Sequence, residues 1–492
     1  MRSHQKANIM QEYERPRFAE SLFHRTKCLH LSPDATFSKT MDLFDEFDDL
    51  VDEAMQLAAA AVAMDDVMEA EEEEEEDAQW GGSSVGKAPN KQRDFAGAYD
   101  RLMRQYFSGD ESVYNESDFE KRFRMPRHVF HRLWTRISGK GCFVQHFDVA
   151  TKLPGVHPLV RFVACLRKLS YGESSDRADE NLEISESVVN SSFKQFCSLI
   201  VQEFGPIYLH RCPSQHEIER ALRINASRGF PGNFASWDCK HFSWKNCPMA
   251  FAGQHKGKED SNTLVLEAIC DPDCYIWYSF FGSPGSLNDL NILDRSSIVA
   301  RMLDGSFNLR LPEHLHYTVN GTRRDYMYFL VDGIYPRWSV FVSTIANASP
   351  HSKEAKFAKK QEANRKDIER AFGQLVQKFK LLKQPQMMWR KEDVSNAINC
   401  GIILHNMTVE VRRENFVSQG RLDELPAPVE EPAEIPTVSL FHQVSQTGDL
   451  VNQGEAAVAL ASRVAQFDAD LKNEVAHHAL VYDLKEHIYS KY

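Results

Sequence analysis

Apolar residues recur at helical spacing after residue 94, first as Tyr99, Leu102, Met103, Tyr106 and Phe107. Three further segments, 116–137, 157–169 and 186–201, repeat positions three or four apart. Such periodicity is typical of amphipathic helices whose apolar faces pack together. The pattern therefore predicts an all-α domain over residues 94–228.

A short polar turn joins the last two of these predicted helices, and Ser185 fits the N-cap of the second. Helix, turn and helix are typical of a helix-turn-helix, whose second helix enters the DNA major groove. That interpretation directs four side chains toward DNA: Ser187, Asn190, Ser191 and Lys194. An ordinary helical bundle is the alternative. The pattern favours the bundle, because residues 186–201 contain a single Lys.

The pattern changes to strands after residue 228. Residues 234–242, 263–270 and 274–281 are rich in β-branched and aromatic residues, and Asp271-Pro272-Asp273 predicts a hairpin turn. Tyr326–Val331 has no charge and stops at Asp332-Gly333, which is typical of a buried strand in a parallel sheet. With helices predicted at 352–382 and 391–412, residues 229–412 should form an α/β domain, a mixed sheet with flanking helices.

The two ends of the chain differ in composition from this body. Residues 41–80 hold 17 acids and no Lys or Arg, which predicts a largely disordered acidic tail over 1–93. Prolines among acids predict a linker over 413–453. Helical spacing returns in 454–492, where an amphipathic helix should dock on the body; binding to a partner is the alternative.

Composition excludes some classes of protein. No stretch approaches the roughly 18 apolar residues of a membrane span, so we expect no membrane association. The polar N-terminus, MRSHQKANIM, is not typical of a secretory signal. The ten cysteines form no C-x-x-C pair, which favours reduced thiols over a zinc site.

Three carboxylates stand at unusual positions. Asp238 interrupts a predicted strand, although Asp is disfavoured in strands. Asp332 ends a buried strand, at the sheet edge where ligands gather. Glu369 borders the apolar stripe of a predicted helix, near Gly373. A carboxylate near a core needs a partner, and Mg²⁺ or Mn²⁺ prefers oxygen ligands. Each acid alone would be interpreted as a surface salt bridge; together they predict a metal site.

The charge distribution suits a polyanionic substrate. Because the chain carries −12 in total and 17 acids lie in 41–80, the remainder is at +5. Residues 351–394 contain 12 Lys or Arg against 6 acids. His255, Lys256 and Lys258 form a basic loop that could contact a DNA backbone, with a solvated hairpin tip as the equal alternative.

Eight sequence motifs occur in order and resemble the PIF/Harbinger-type DDE transposases, particularly their plant transposon protein-like branch. They are Trp237-Asp-Cys-Lys-His-Phe242, Trp244-Lys-Asn-Cys-Pro248, Ala252-Gly-Gln-His-Lys-Gly257, Leu264-Val-Leu-Glu-Ala268, Phe280-Phe-Gly-Ser-Pro-Gly-Ser-Leu-Asn-Asp289, Leu330-Val-Asp-Gly-Ile-Tyr-Pro336, Asp367-Ile-Glu-Arg-Ala-Phe-Gly373 and Ile403-Leu-His-Asn406. The resemblance covers about residues 95–412.

The resemblance implies an RNase H-like catalytic fold in which Asp238, Asp332 and Glu369 match the family's triad and bind two divalent ions, Mg²⁺ or Mn²⁺. It implies cleavage of double-stranded DNA at transposon ends and transfer of the 3′ ends to a short target site. It also implies a separate Myb-like DNA-binding partner. We further expect a homo-oligomer located in the nucleus.

Two questions stay open in the sequence. Asp289 competes with Asp332 as the second acid; we prefer Asp332, because a strand end fixes a side chain better than a Gly/Ser loop does, and Asp289 then supports the site. His405 and Asn406 are expected to bond within the core. A domesticated, catalytically silent DNA- or chromatin-binding protein derived from such a transposase is the alternative function.

Overall fold

The structure is a computed structural model that describes residues 91–149, 152–209, 211–257, 261–418 and 466–491. The predicted acidic tail up to residue 90, Lys258 and most of the predicted linker lie outside the described residues. By their packing, the described residues from 92 onward constitute one compact unit.

The segment before the sheet is entirely helical, as its apolar spacing predicts. Its helices are α1 (Phe95–Tyr106), α2 (Glu116–Phe123), α3 (Arg127–Ile137), α4 (Pro158–Tyr171), α5 (Arg177–Leu182), α6 (Glu186–Tyr208) and α7 (Gln215–Ser227). Side-chain caps fix several helix starts: Asp94 accepts from the Gly97 N–H at 2.8 Å, and Ser214 with Glu217 forms a capping box. Pro126 is the N-cap of α3, where its missing N–H is tolerated.

Helix α6 packs against α4 and against the long helix Lys391–Ser418, which comes after the sheet in the sequence. Two of the four side chains predicted to face DNA are engaged inside the protein. Asn190 accepts hydrogen bonds from Lys168 and from Ser175, and Lys194 lies 3.0 Å from the Asp393 carboxylate. Ser187 and Ser191 are exposed. This arrangement agrees with the ordinary helical bundle.

A five-stranded mixed sheet forms the centre of the molecule. Its strands are β1 (Asn233–Ser243), β2 (Thr263–Cys270), β3 (Ile276–Pro284), β6 (Tyr328–Leu330) and β7 (Phe341–Val342), in the order β3-β2-β1-β6-β7. Neighbours β1, β2 and β3 are antiparallel, whereas β6 runs parallel to β1 and β7 runs parallel to β6. A separate hairpin joins β4 (Tyr317–Val319) to β5 (Thr322–Arg324).

The remaining helices flank this sheet. They are α8 (Met249–His255), α9 (Asp289–Leu293), α10 (Ser297–Leu303), α11 (Lys353–Lys378), α12 (Lys391–Ser418) and α13 (Glu474–Lys491). Helix α11 contacts β1, β2 and β6, and α12 contacts β3 and α6. The predicted RNase H-like α/β class, a mixed sheet between helices after an all-helical segment, is confirmed. None of the helices in the described ranges is long and apolar enough to cross a membrane.

One hydrophobic core joins the helical segment to the sheet. Phe162 and Phe196 of the helices belong to the same buried cluster as Trp237 and Phe329 of the sheet. Trp237 packs edge-on against Phe329 at 5.5 Å and against Phe341 at 5.1 Å between ring centroids. The hydrophobic core is therefore continuous across the predicted domain boundary at residue 228.

The polar pair near the end of the predicted helix 391–412 lies in this core, as expected from the sequence. Asn406 accepts from the Ile276 N–H at 2.9 Å and donates to the Ile276 carbonyl at 2.8 Å and the Tyr208 carbonyl at 3.2 Å. His405 bonds the Cys274 carbonyl at 2.7 Å. These contacts satisfy backbone groups at the start of the edge strand β3, in the turn before it and at the end of α6, so the pair has a structural role.

Helix α13 packs on the far edge of the sheet. Leu480, Leu484 and Ile488 share a buried cluster with Phe230 and Phe357. Ion pairs flank that contact: Arg324 with Asp483 at 2.6 Å, Lys353 with Glu486 at 2.6 Å, and Lys485 with Glu354 at 2.8 Å. The C-terminal helix thus covers apolar surface of the body.

Candidate functional site

Asp238 lies within β1, and Asp332 lies two residues beyond the end of β6, the strand that runs parallel to β1. Ser236 of β1 pairs with Leu330 of β6, and each acid stands two residues beyond its member of that pair. The Val331 N–H still donates to the Val342 carbonyl at 3.2 Å, so the chain stays extended up to Asp332. Because side chains two apart share a face and strands lie about 4.8 Å apart, the register brings the two carboxyl groups together.

The Asp238 carboxyl is strongly perturbed. Burial raises its pKa to about 6, against the lowering effects of the Cys239 N–H and of the Arg365 charge, and the charges of Asp289 and Asp332 raise it further. The Cys239 N–H donates to Asp238 Oδ1 at 2.9 Å. Several negative groups therefore meet at this point of the sheet, which is an arrangement common at functional sites.

Arg365 of α11 supplies the nearest positive charge. Its Nη1 lies 2.8 Å from Asp238 Oδ2, and its Nη2 lies 3.4 Å from Glu369 Oε1. The side chains of Arg365 and Asp238 are 17% and 18% exposed, whereas Glu369 is 49% exposed. A guanidinium thus bridges the first and third of the predicted acids.

This bridge follows from the helical period of α11. Gln361, Arg365 and Glu369 are four residues apart, about 6 Å along the axis, so they share one face of the helix. The Gln361 amide donates to the Val331 carbonyl at 3.0 Å and to the Val342 carbonyl at 2.9 Å, at the ends of β6 and β7. The helix is thereby fixed against the strand ends that lead to Asp332.

Sequence reasoning missed Arg365 and Gln361. The available signal was their spacing of four and eight residues before Glu369, which places them on the same face. A cluster of acids predicts a cationic side chain beside it as well as a metal ion, and Arg365 is that side chain.

The carboxylate oxygens of these acids are ligands that a hard divalent ion prefers. The register of β1 and β6 also brings Asp238 and Asp332 close together. The acids are not gathered into a finished metal cluster: across the described parts of the chain, no group of three His, Cys, Asp or Glu side chains is arranged to hold a metal ion. Glu369 instead contacts Arg365, so its participation as a third ligand requires release of the guanidinium.

Asp289, the first residue of α9, also belongs to this neighbourhood. Its charge raises the Asp238 pKa more strongly than that of Asp332 does, and it also raises the pKa of Cys239 and of Glu267. Strand register favours Asp332 as the partner of Asp238, whereas the stronger charge effect favours Asp289. Which acid serves as the second ligand stays a prediction.

The structure separates the residues of the predicted basic loop. His255 is 5% exposed; its imidazole lies 3.3 Å from the Thr263 carbonyl and packs edge-on against Trp244 at 5.2 Å. The buried ring has little surface to offer a phosphate, so its burial disfavours His255 as a DNA contact, which stays a prediction. Lys256 is exposed, and Lys258 lies outside the described residues.

A second buried carboxyl, Glu267 of β2, was not singled out as a site by the sequence. It is fully buried and accepts from the Trp237 indole N–H at 3.1 Å. Burial raises the pKa of Glu267 to about 7, against the lowering effects of hydrogen bonds from Ser296 and Trp237, while the charge of Asp289 raises it further. Glu267 therefore titrates near neutral pH.

Glu267 should make stability depend on pH. Its pKa is raised in the folded state, so the stability it contributes below about pH 4.5 is lost as the pH rises through about 7. Glu267→Gln keeps an acceptor for Trp237 and removes that loss. We expect the free energy of unfolding of the variant, relative to the parent, to rise by about 2–3 kcal/mol between pH 4.5 and 8.

Denaturant unfolding of both proteins at the two pH values measures this. Asp238 titrates in the same range in parent and variant, so its contribution cancels in the difference. A difference that stays constant with pH would contradict the assignment.

Comparison with protein families gives this geometry a context. Residues 207–416 match the family of plant transposon proteins. The match relates the chain to transposases, and it extends from the end of α6 through the whole sheet to α12. Asp238, Asp289, Asp332 and Glu369 all lie inside the range shared with the plant transposon proteins.

A second family model, described as a domain of unknown function, matches residues 99–138, which form α1 to α3. Neither a curated protein nor a solved structure matches the chain.

Proposed function

We propose that this chain is a DDE transposase of the PIF/Harbinger type, a metal-dependent nuclease that cuts DNA at transposon ends and transfers the 3′ ends to target DNA. The observation that carries the proposal is the register of two adjacent parallel strands, which puts Asp238 and Asp332 each two residues after the paired Ser236 and Leu330, inside the range that matches plant transposon proteins. Mg²⁺ or Mn²⁺ is the cofactor that oxygen ligands of this kind would hold.

Asp238, Asp332 and Glu369 would hold the ions, with Asp289 as the alternative second acid. When bound, two such ions activate an attacking water or hydroxyl and stabilise the leaving oxygen of a phosphodiester. The protein contributes rigid positions: β1 and β6 orient the two aspartates, and Gln361 anchors the helix that carries Glu369.

Arg365 gives the site a state without metal, in which its guanidinium neutralises the acids. Its guanidinium neutralises Asp238 and contacts Glu369, in the position that a cation between these carboxylates would take. Loading of the site then requires exchange of a guanidinium for a divalent ion. The freed Arg365 stays beside the acids, where its charge can orient a phosphate.

The test is cleavage of DNA that carries the inverted repeats flanking the gene, with Mg²⁺ or Mn²⁺, with and without a Myb-like partner. Metal-dependent nicks at the repeat ends and joined 3′ ends are the expected products. Failure to cut under every one of these conditions would overturn the enzymatic proposal.

The catalytically silent descendant is the second candidate, and a specific observation favours it. Arg365 already occupies the space between two of the acids, and the described residues hold no complete three-donor cluster. That candidate predicts DNA or chromatin binding without cleavage and without measurable Mn²⁺ binding at Asp238.

A further inference from the structure

Two acid-free stretches of the sequence meet at the end of β1. Residues 239–257 contain no Asp or Glu, and neither do residues 371–391. The backbones pair: the Gln386 N–H donates to the Ser243 carbonyl at 2.7 Å, and the Lys245 N–H donates to the Gln386 carbonyl at 2.9 Å. Trp244 Nε1 donates to the Met388 carbonyl at 2.8 Å. Positive charge from two distant parts of the chain is thereby concentrated.

Exposed aromatic side chains stand on the same framework. Trp389 is 63% exposed and follows Met388 directly, and Phe251 of α8 is 48% exposed. Phe251 lies 6.5 Å from the ring of His255, which packs on Trp244. We call the group Lys245, Phe251, Lys256, Trp389, Arg390 and Lys391 the basic-aromatic surface.

The basic-aromatic surface is connected to Asp238 along one strand. Ser243 lies five positions after Asp238, about 17 Å along the strand, which is about the length of five nucleotides of one DNA strand. Between them lies a cavity of about 420 Å³ whose lining includes Lys240 and Lys383. Lys240 stands two residues after Asp238 and so shares its face of the sheet. Positive charge thus continues from the acids to the surface.

We infer that the basic-aromatic surface binds the DNA strand that flanks the cleaved phosphodiester, with lysines and Arg390 on phosphates and Trp389 stacked on an unpaired base. The inference rests on the proposed function, because it takes DNA as the substrate at Asp238. Exposed rings beside cations are the combination that holds single strands, since every base has a face to stack. An acidic peptide would use the charges but not the path that leads to Asp238.

The test is DNA binding by the full chain in EDTA, so that it does not depend on metal chemistry. The probe is a fluorescent duplex of arbitrary sequence with a single-stranded extension that contains 2-aminopurine. We expect the triple variant Lys245→Ala, Arg390→Ala, Lys391→Ala to reduce the slope of log affinity against log salt by about 2, or about 0.7 for each phosphate of the single strand that is no longer neutralised.

The stacking of Trp389 on a base is measured separately from the charge contacts. Trp389→Ala should weaken binding to the single-stranded extension about tenfold and relieve the quenching of 2-aminopurine, whereas Trp389→Phe should keep most of both. The matched control removes three other exposed charges, Arg310, Arg323 and Lys472, and should leave the salt slope unchanged.

Parent-like salt slope and quenching in these variants, or a surface that binds an acidic peptide and not DNA, would overturn the inference. A parent that binds DNA through this surface but never cuts it would overturn only the proposed enzymatic function. The two failures are therefore distinguishable.

Discussion

Asp238→Asn is expected to abolish metal-dependent DNA cleavage, by about 10³-fold or more. The variant keeps the shape and burial of the side chain but removes the charge at the centre of the acids. Charge stabilisation by bound metal contributes several kcal/mol to such reactions, and each 1.36 kcal/mol is a factor of ten in rate. Nicking of labelled repeat-end DNA with Mg²⁺ and with Mn²⁺ measures the effect.

A matched pair of variants decides which aspartate is the second metal ligand. If Asp332 is the ligand, Asp332→Asn should lose activity as Asp238→Asn does, whereas Asp289→Asn should retain it within about tenfold. The reverse ranking would assign the role to Asp289, whose charge has the stronger effect on the Asp238 pKa. An Asp238→Asn protein that cuts like the parent would refute the metal assignment altogether.

Sequence patterns predicted the fold because each element carries a strong local signal. The predicted strand 263–270 coincides with β2, and the Asp271-Pro272-Asp273 turn joins two antiparallel strands. The run Tyr326–Val331 contains β6 but is longer than the strand, because only Tyr328–Leu330 pair with β1, and of these only Phe329 and Leu330 also pair with β7. Apolar content identifies a buried segment, whereas pairing depends on neighbours that are far away in sequence.

The site was harder to predict, because its decisive contacts join distant segments. Asp238 and Asp332 could be expected to lie close together, since the first is in a predicted strand and the second ends one. Arg365 could not be assigned to Asp238, 127 residues away, without the packing of α11 on β1. The burial of His255 could not be predicted for the same reason: Trp244 and Thr263 cover a ring that the sequence places beside lysines.

Arg365→Gln is expected to destabilise the metal-free protein and to tighten metal binding. Without the guanidinium, Asp238 loses its charged partner in a site that is mostly buried, so the free energy of unfolding in EDTA should fall by about 2 kcal/mol. The same change removes a competing cation from the acids. The apparent dissociation constant for Mn²⁺ should therefore fall about tenfold, which corresponds to about 1.4 kcal/mol.

Unfolding in denaturant measures the first effect, and titration of free Mn²⁺ by electron paramagnetic resonance measures the second. Arg370→Gln is the matched control: Arg370 lies on the same helix and pairs with Asp367, which also binds Arg228 at 2.5 Å. The control should leave Mn²⁺ affinity unchanged. Weaker Mn²⁺ binding in Arg365→Gln would instead mean that the guanidinium orients the acids for the ion and does not compete with it. The decrease in stability in EDTA would remain in that case, because it depends only on the charge left on Asp238.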